Sequence, residues 1–262
     1  MEGVCVDTHC HLTDDRLRNQ VAAVLARARG AGVMAVVTAA SDPPDAAAAA
    51  ALARQYGCVY FTAGVHPHQA KQAGEGYLDR IEELAAADEN VAIGEIGLDY
   101  HYDFSPRDVQ RRVFAEQLEL AKRLGKPVVI HTREAFEDTL AILREAAPPG
   151  EKIVFHSYTG DAAGVRRVLD LGAYVGFSGI ATFNKSDSIR RAAAVVGDDR
   201  ILVETDAPYL SPEQLRKMRT NEPANVVHVA ECLAAVRRTT LKDFGELTTT
   251  NAVRLFGLDI SP

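Results

Sequence analysis

The sequence predicts an α/β fold, a single (β/α)8 barrel over residues 1–262 with an extra helix at its C-terminal end. Three observations predict it. Eight apolar runs rich in Val and Ile recur at about 4–7, 33–38, 58–65, 91–96, 127–131, 152–156, 173–177 and 200–205. They are mostly continuous rather than alternating, as expected of parallel strands with helices on one face and a filled core on the other. Helical patterns occupy the intervals, which gives the βα alternation of a parallel sheet. An open doubly wound sheet would place a glycine-rich phosphate loop after its first strand; here that strand runs into His9, Cys10 and His11.

The elements follow in order. After the first run, Leu17, Val21, Val24, Leu25 and Ala28 recur at helical spacing, and Gly30 acts as a stop. Pro43 and Pro44 open an alanine-rich helix that Gly57 ends. Ser105 and Pro106 read as cap and first turn of a helix carrying Val109, Val113, Leu118 and Leu120, with Gly125 at its end. Val165, Val168 and Leu169 mark another helix, closed by Gly172. Pro223 starts a further one with Val226, Val227, Ala230, Leu233 and Val236. The segment LKDFGELTTTNAVRLFGLDI supplies one or two added helices that close the barrel.

Composition narrows the function classes. At 47% hydrophobic and 25% charged residues the chain is typical of a soluble globular protein, and no apolar run reaches membrane-span length. No membrane partner is expected. The opening MEGVCVDTHCH has neither the basic stretch nor the apolar core of a leader, so the cytoplasm is the expected location. A net charge of −7 argues against general affinity for nucleic-acid backbone, although a metal site with a local basic patch can still hold phosphates. Cys5, Cys10, Cys58 and Cys232 lack CxxC spacing and form no disulfide framework. Cys5 and Cys58 read as small core residues, and Cys10 as pointing away from its two histidine neighbours.

Five strand-like segments end on metal-ligand types. They supply His9 and His11 in VDTHCHL, Glu95 in AIGEIG, His131 in PVVIHTRE, His156 in KIVFHSY and Asp206 in ILVETDAP. Several such ligands at the same end of different strands describe a divalent-metal site at one mouth of a barrel. Residues two apart in a strand share a side, so His9 and His11 point together. Gly94 and Gly97 flank Glu95 and let its backbone turn sharply, which suits a carboxylate placed to bridge two metals. Asp206 follows the eighth strand, which closure sets beside the first; it is read as ligand and as proton acceptor from a metal-bound water, whose pKa falls to about 7 in zinc sites. Asp7 and Glu204 lie two residues before His9 and Asp206 and are read as orienters of ligand histidines.

Other residues are weaker candidates. His66 ends the third strand and is read as a substrate contact or a group behind the ligands. Arg133 is the leading cationic phosphate contact, against a salt bridge to Glu134 or Glu137. Tyr100, Tyr102 and Phe104 either stack on bases or pack against their loop. Arg216, Lys217 and Arg219 form a basic stretch, read as a solvated helix face before a phosphate grip. His68, His101 and His228 are left as surface or packing residues.

The strings DTHCHL, GVHPH, IGEIGLDY, KPVVIHTREA, FSGIATF, LVETDAPYL, NEPANVVHVAE and TTTNAVRLFGL, spread over residues 7–258, resemble the TatD family of metal-dependent deoxyribonucleases within the amidohydrolase-like barrels. The resemblance implies two divalent ions about 3.5–4 Å apart. His9, His11, Glu95 and Asp206 would hold one, and Glu95 would bridge to a second held with His131 and His156. The ions are drawn from Zn, Mn, Mg, Fe, Co and Ni. The implied function is a two-metal hydrolase, foremost a deoxyribonuclease of the 3′–5′ exonuclease type using a metal-activated hydroxide, with Asp206 and Glu95 catalytic and DNA the favoured nucleic acid. The alternatives are an ester or amide hydrolase such as a D-aminoacyl-tRNA deacylase, or a non-catalytic metal- or nucleic-acid-binding protein, which should have lost a ligand. Two departures stand out. Ser157, Tyr158 and Thr159 replace a Cys-Phe-Ser type run, and Thr220 stands where relatives often carry Arg before Asn-Glu-Pro, with Arg219 one place earlier.

Overall fold

The structure is a computed structural model and describes residues 5–260. Residues 1–4, which hold the predicted start of the first strand and part of the stretch read for a leader, lie outside the described residues, as do 261–262. The elements run β1 (Cys5–Cys10), α1 (Val21–Gly30), β2 (Val33–Thr38), α2 (Pro43–Gln55), β3 (Val59–Ala63), α3 (Tyr77–Ala85), β4 (Asn90–Asp99), α4 (Arg107–Leu124), β5 (Val128–Arg133) and α5 (Phe136–Ala146). They continue with β6 (Ile153–Phe155), α6 (Ala162–Leu169), β7 (Tyr174–Phe177), α7 (Asp187–Val195), β8 (Ile201–Val203), α8 (Val226–Arg237) and α9 (Leu241–Phe256). Strand order in the sheet is the chain order. The helices α3, α5 and α7 join those that periodicity singles out. Among the described residues, no helix is long and apolar enough to cross a membrane.

Two compact units make up the chain. The first takes residues 5–38 and 156–260 of those described. Within it β1 pairs in parallel with β2, and β7 with β8. The first and last strands adjoin: Cys10 bridges to Ala207, the Asp206 amide donates to the His9 carbonyl (2.8 Å), and the His11 amide donates to the Ala207 carbonyl (2.6 Å). The C-terminal segment forms one helix, α9, which packs on β1 and β8. Its start is fixed by Thr240, whose hydroxyl accepts from the Asp243 amide, and its end by Gly257 at φ 66°. Buried Asn251 ties α9 to the strand through the Ile201 carbonyl (2.9 Å). Val6, Leu12, Val24, Val175, Leu202 and Leu233 lie in this unit's core.

The second unit spans Ala39–Phe155. Its strands β3, β4, β5 and β6 pair in parallel, each with the next. Asp42 caps α2 by accepting from the Asp45 amide, with Pro43 in the first turn. Phe61, Ile93, Ile96, Phe114, Leu118 and Phe155 are fully or almost fully buried. Ser105 does not cap α4. The extended backbone of Pro106 precedes that helix, and the Ser105 hydroxyl instead donates to the His68 carbonyl (3.0 Å) and accepts from the Lys71 amide (3.0 Å).

Strand ends differ from the predicted ones for local reasons. β4 runs on to Asp99 and stays buried over its ten residues. β8 stops at Val203; beyond it the Thr205 amide goes to the Asp7 side chain (2.8 Å) instead of a backbone carbonyl, and the Thr205 hydroxyl joins it there (2.6 Å). β6 stops at Phe155, and Ser157 beyond it turns to φ 43° with its amide on Glu204 (2.5 Å).

Candidate metal centre

In the first unit His9 is the penultimate residue of β1 and His11 follows the strand, with ring centroids 5.0 Å apart. The Asp206 Oδ1 is 3.3 Å from His11 Nε2 and 3.9 Å from His9 Nε2. Ligand atoms of these three residues all fall within 4.8 Å of one another. Asp206 reaches them from a left-handed backbone, φ 55°, a conformation Asp tolerates better than most residues. Burial pushes its carboxyl up, but the His11 hydrogen bond and the neighbouring His156, His11 and His9 outweigh this and hold it below the usual range. Cys10 faces elsewhere, its thiol donating to the Val37 carbonyl (3.6 Å).

His156 stacks on His9 at 3.9 Å, and its Nδ1 lies 3.1 Å from Glu204 Oε1. A buried carboxylate there favours the Nδ1–H tautomer and leaves the Nε2 lone pair as the ring's donor site for a metal. Gly176 makes the room: a Cβ on it would stand 2.5 Å from Glu204 Oε2. Asp7 does not take the ring-orienting position expected of it. It sits at the β1–β8 junction and accepts from the Thr205 amide and hydroxyl and from the His9 amide (3.4 Å). Burial pushes its carboxyl up to about 8 despite those bonds. The motif Asn221-Glu222-Pro223 also serves this region. Buried Asn221 donates to the Thr205 and Tyr209 carbonyls (3.1 and 2.8 Å), on either side of Asp206, and Glu222 takes a bidentate bond from Arg27.

The second unit assembles a different group. Glu95 Oε1 is 2.8 Å from His131 Nδ1 and 3.5 Å from His66 Nε2, and the ligand atoms of the three lie within 4.8 Å. His131 Nε2 in turn lies 3.0 Å from Asp99 Oδ2. A neutral imidazole carries one N–H and cannot donate to two carboxylates. Doubly protonated, the ring would donate to both; neutral with its proton on Nε2 toward Asp99, it turns the Nδ1 lone pair to the side of Glu95, a donor set that a divalent ion takes. His131 and Glu95 therefore fit a divalent ion on the chemistry of the donors. His66 meets the distance test but not the proton count. Its Nδ1 accepts from the His68 amide (3.1 Å), so the ring proton sits on Nε2, the atom facing Glu95. Burial lowers its pKa to about 4 and keeps the ring neutral. His66 is thus a hydrogen-bond donor toward the site rather than a ligand.

Two glycines are required here. A Cβ on Gly97, at φ 139°, would lie 2.0 Å from the His131 carbonyl oxygen, and one on Gly94 would lie 2.7 Å from the Val129 Cβ.

Several residues escape the sequence reading. Asp99 is fully buried and holds His68 Nε2 (2.9 Å) as well as His131. Burial pushes its carboxyl up, yet hydrogen bonds from His131, His68 and the Tyr102 amide prevail and hold it well below the ordinary range. His68, left as a surface or packing residue by the sequence, packs on Tyr102 and Phe104 and belongs to this cluster. On α4, the buried Gln110 accepts from the Asp99 amide (2.8 Å) and donates to the Asp99 and Ser105 carbonyls (3.1 and 2.8 Å). Gln117 grips Val65, beside His66, in the same manner (2.6 and 3.1 Å). Strand alternation offered a signal for Asp99, which lies four residues beyond Glu95 on one face of a longer strand. No local signal marks the glutamines.

The remaining candidates lie outward. The Arg133 guanidinium sits over the Tyr102 ring at 4.8 Å, and Glu134 pairs with His101 (2.7 Å). His228 is on α8 beside Glu231 (3.3 Å). The basic stretch is a loop after a short 3-10 turn (Glu213–Leu215), not a helix face; Arg216 covers the Phe183 ring at 4.4 Å, and Lys217 and Arg219 are exposed.

Comparison with known proteins finds relatives over nearly the whole chain. The family model described as TatD related DNase matches residues 6–257. The chain is 37% identical to an uncharacterized metal-dependent hydrolase, YabD, of Bacillus subtilis, covering 97% of this chain and 99% of the relative. It is 35% identical to a 3′-5′ ssDNA/RNA exonuclease, TatD, of Klebsiella pneumoniae, over 97% and 98%. The crystal structure of YJJV, a TatD homolog from Escherichia coli, is similar with TM-score 0.92 and 28% identity, covering 98% of this chain and 99% of that one. The fold class is the (β/α)8 barrel.

Proposed function

The chain belongs to the TatD family of metal-dependent hydrolases, and from that premise we propose that it cleaves phosphodiesters of single-stranded nucleic acid, DNA foremost, from a 3′ end with two divalent ions. The observation that carries the metal-dependent part of this reading is the grouping of ligand atoms, His9 with His11 and Asp206, and Glu95 with His131, with Asp99 behind the His131 ring. Similarity to the 3′-5′ ssDNA/RNA exonuclease of Klebsiella supports nucleic acid as the substrate.

His9, His11 and Asp206 would hold one ion, and Glu95 and His131 would serve the second; His156 presents Nε2 as a further donor. When bound, such ions supply Lewis acidity and lower the pKa of water. The chain's own residues then have distinct tasks. Asp206, kept ionised by its histidine neighbours, accepts the proton from the attacking water at Oδ1. Asp99 and Glu204 fix the ring orientation of His131 and His156. His66 offers its Nε2–H to a substrate oxygen, and Arg133 offers its N–H edge to phosphate. The cytoplasm is the proposed location, in keeping with four free cysteines.

The test uses metal-stripped protein refilled in turn with Mn, Zn, Co, Ni, Fe and Mg, on 5′-labelled single-stranded DNA, RNA and a D-aminoacyl-tRNA. Progressive shortening of DNA from the 3′ end, absent after chelation and in Asp206→Asn, is expected. Full metal occupancy with intact oligonucleotides would overturn the reading, and release of the amino acid alone would replace it with ester hydrolysis.

A further inference from the structure

Resting on the nucleic-acid reading above, we propose that Phe104, backed by Tyr102 and Arg133, is a stacking seat for one base of the single-stranded substrate. The loop after β4 carries two large aromatic residues that stay in solvent, Tyr102 at 47% and Phe104 at 54% exposure. Their rings are stacked, with centroids 5.2 Å apart and planes 22° from parallel. The Arg133 guanidinium lies over the Tyr102 ring at 4.8 Å, and His68 meets both rings edge-on, at 5.3 and 4.8 Å. The result is a cluster in which the Tyr102 ring contacts both a guanidinium and the Phe104 ring, with over half of Phe104 open to water.

The loop is held, not loose. Asp99 Oδ1 accepts from the His101 and Tyr102 amides (3.0 and 2.9 Å), and Gln110 takes the Ser105 carbonyl (2.8 Å). Arg107 makes a bidentate bond to Asp103 (3.0 and 2.7 Å). Fixing exposed apolar rings in one orientation forgoes burial, and it preorganises a flat surface for a flat partner. The seat is wired to the metal group: His68, which touches both rings, shares Asp99 with His131.

Two features choose a nucleobase as the occupant. A base presents a π-face whatever its identity, which suits an apolar ring with no hydrogen-bonding rim. Arg133 stands over the Tyr102 ring at 4.8 Å and brings a guanidinium able to bind an anion beside the seat, so base and phosphate can be taken side by side. The seat therefore discriminates nucleotides from base-free esters and tolerates different sequences.

The test is binding of a phosphorothioate single-stranded oligonucleotide to the metal-loaded protein, with one 2-aminopurine moved stepwise from the 3′ end. Fluorescence quenching at one preferred position is expected. Phe104→Ala should remove it and weaken binding on the order of tenfold, while Phe104→Trp retains both. An abasic nucleotide at that position should weaken the wild type equally and add nothing to Phe104→Ala. Equal quenching at every position, or an unchanged profile in Phe104→Ala, would overturn the seat. Quenching without cleavage of any unmodified oligonucleotide would leave the seat standing and defeat the nuclease reading; cleavage without positional quenching would do the reverse.

Discussion

Asp99 and His131 are joined on one edge of the second unit's metal group, Oδ2 to Nε2 at 3.0 Å, with the carboxylate fully buried and held ionised by its donors. The pairing fixes which nitrogen of His131 keeps its proton. Asp99→Asn preserves the shape but removes the charge, and the amide can present N–H to Nε2, which would reverse the tautomer. Metal affinity should fall about 10–100-fold with the fold retained. Competition titration against a chromophoric chelator measures it; an unchanged affinity would remove Asp99 from the site.

Gln110 serves the same residue from its backbone side. It closes both the amide and carbonyl of Asp99 and the carbonyl of Ser105. Gln110→Leu keeps the volume and strands these buried groups, at about 1–3 kcal/mol each where water cannot follow. Urea unfolding of the metal-free protein should show a loss of at least about 3 kcal/mol. The variant should also bind metal more weakly, and Gln110→Glu, which still accepts from the Asp99 amide but sets an acceptor against the Asp99 and Ser105 carbonyls, should recover neither loss.

The glycine at position 176 tests the other unit. An added methyl would meet the Glu204 carboxylate at 2.5 Å and displace it from His156 and the Ser157 amide. Gly176→Ala is expected to cut metal-dependent turnover at least tenfold through the lost ring orientation. Gly30→Ala, at a helix end with nothing within 4 Å of the new methyl, is the control and should leave turnover unchanged.

These residues show where sequence reading reaches and where it stops. Eight Val/Ile runs and their flanking glycines mark the strands because burial on both faces dictates composition directly. His9 and His11 declare themselves by alternation, and Asp206 by the adjacency of first and last strands. Asp7 and Glu204 look equivalent in sequence, each two residues before a candidate ligand, yet one bonds Thr205 and the other a histidine ring. That difference arises from what the neighbouring strand presents, which a single strand's sequence does not contain. His68 and Gln110 are illegible for the same reason, since their partners come from another element. Ser105 looks like a helix cap until the backbone of a distant loop claims its hydroxyl.

His66 carries the pH prediction. Burial lowers its pKa to about 4, against an ordinary value near about 6.5 in an unfolded chain. Between those values the unfolded chain binds a proton that the folded one refuses, so acid favours unfolding. The stability is fully present above about 6.5, declines as pH falls through that window, and levels off below about 4. His66→Gln removes the titrating group while keeping a side chain that can donate toward Glu95. In chelator, the loss of stability between pH 7 and pH 5 should therefore be smaller for His66→Gln than for wild type. Parallel urea titrations at the two pH values measure the difference, and identical losses would show that His66 is not held neutral by the fold.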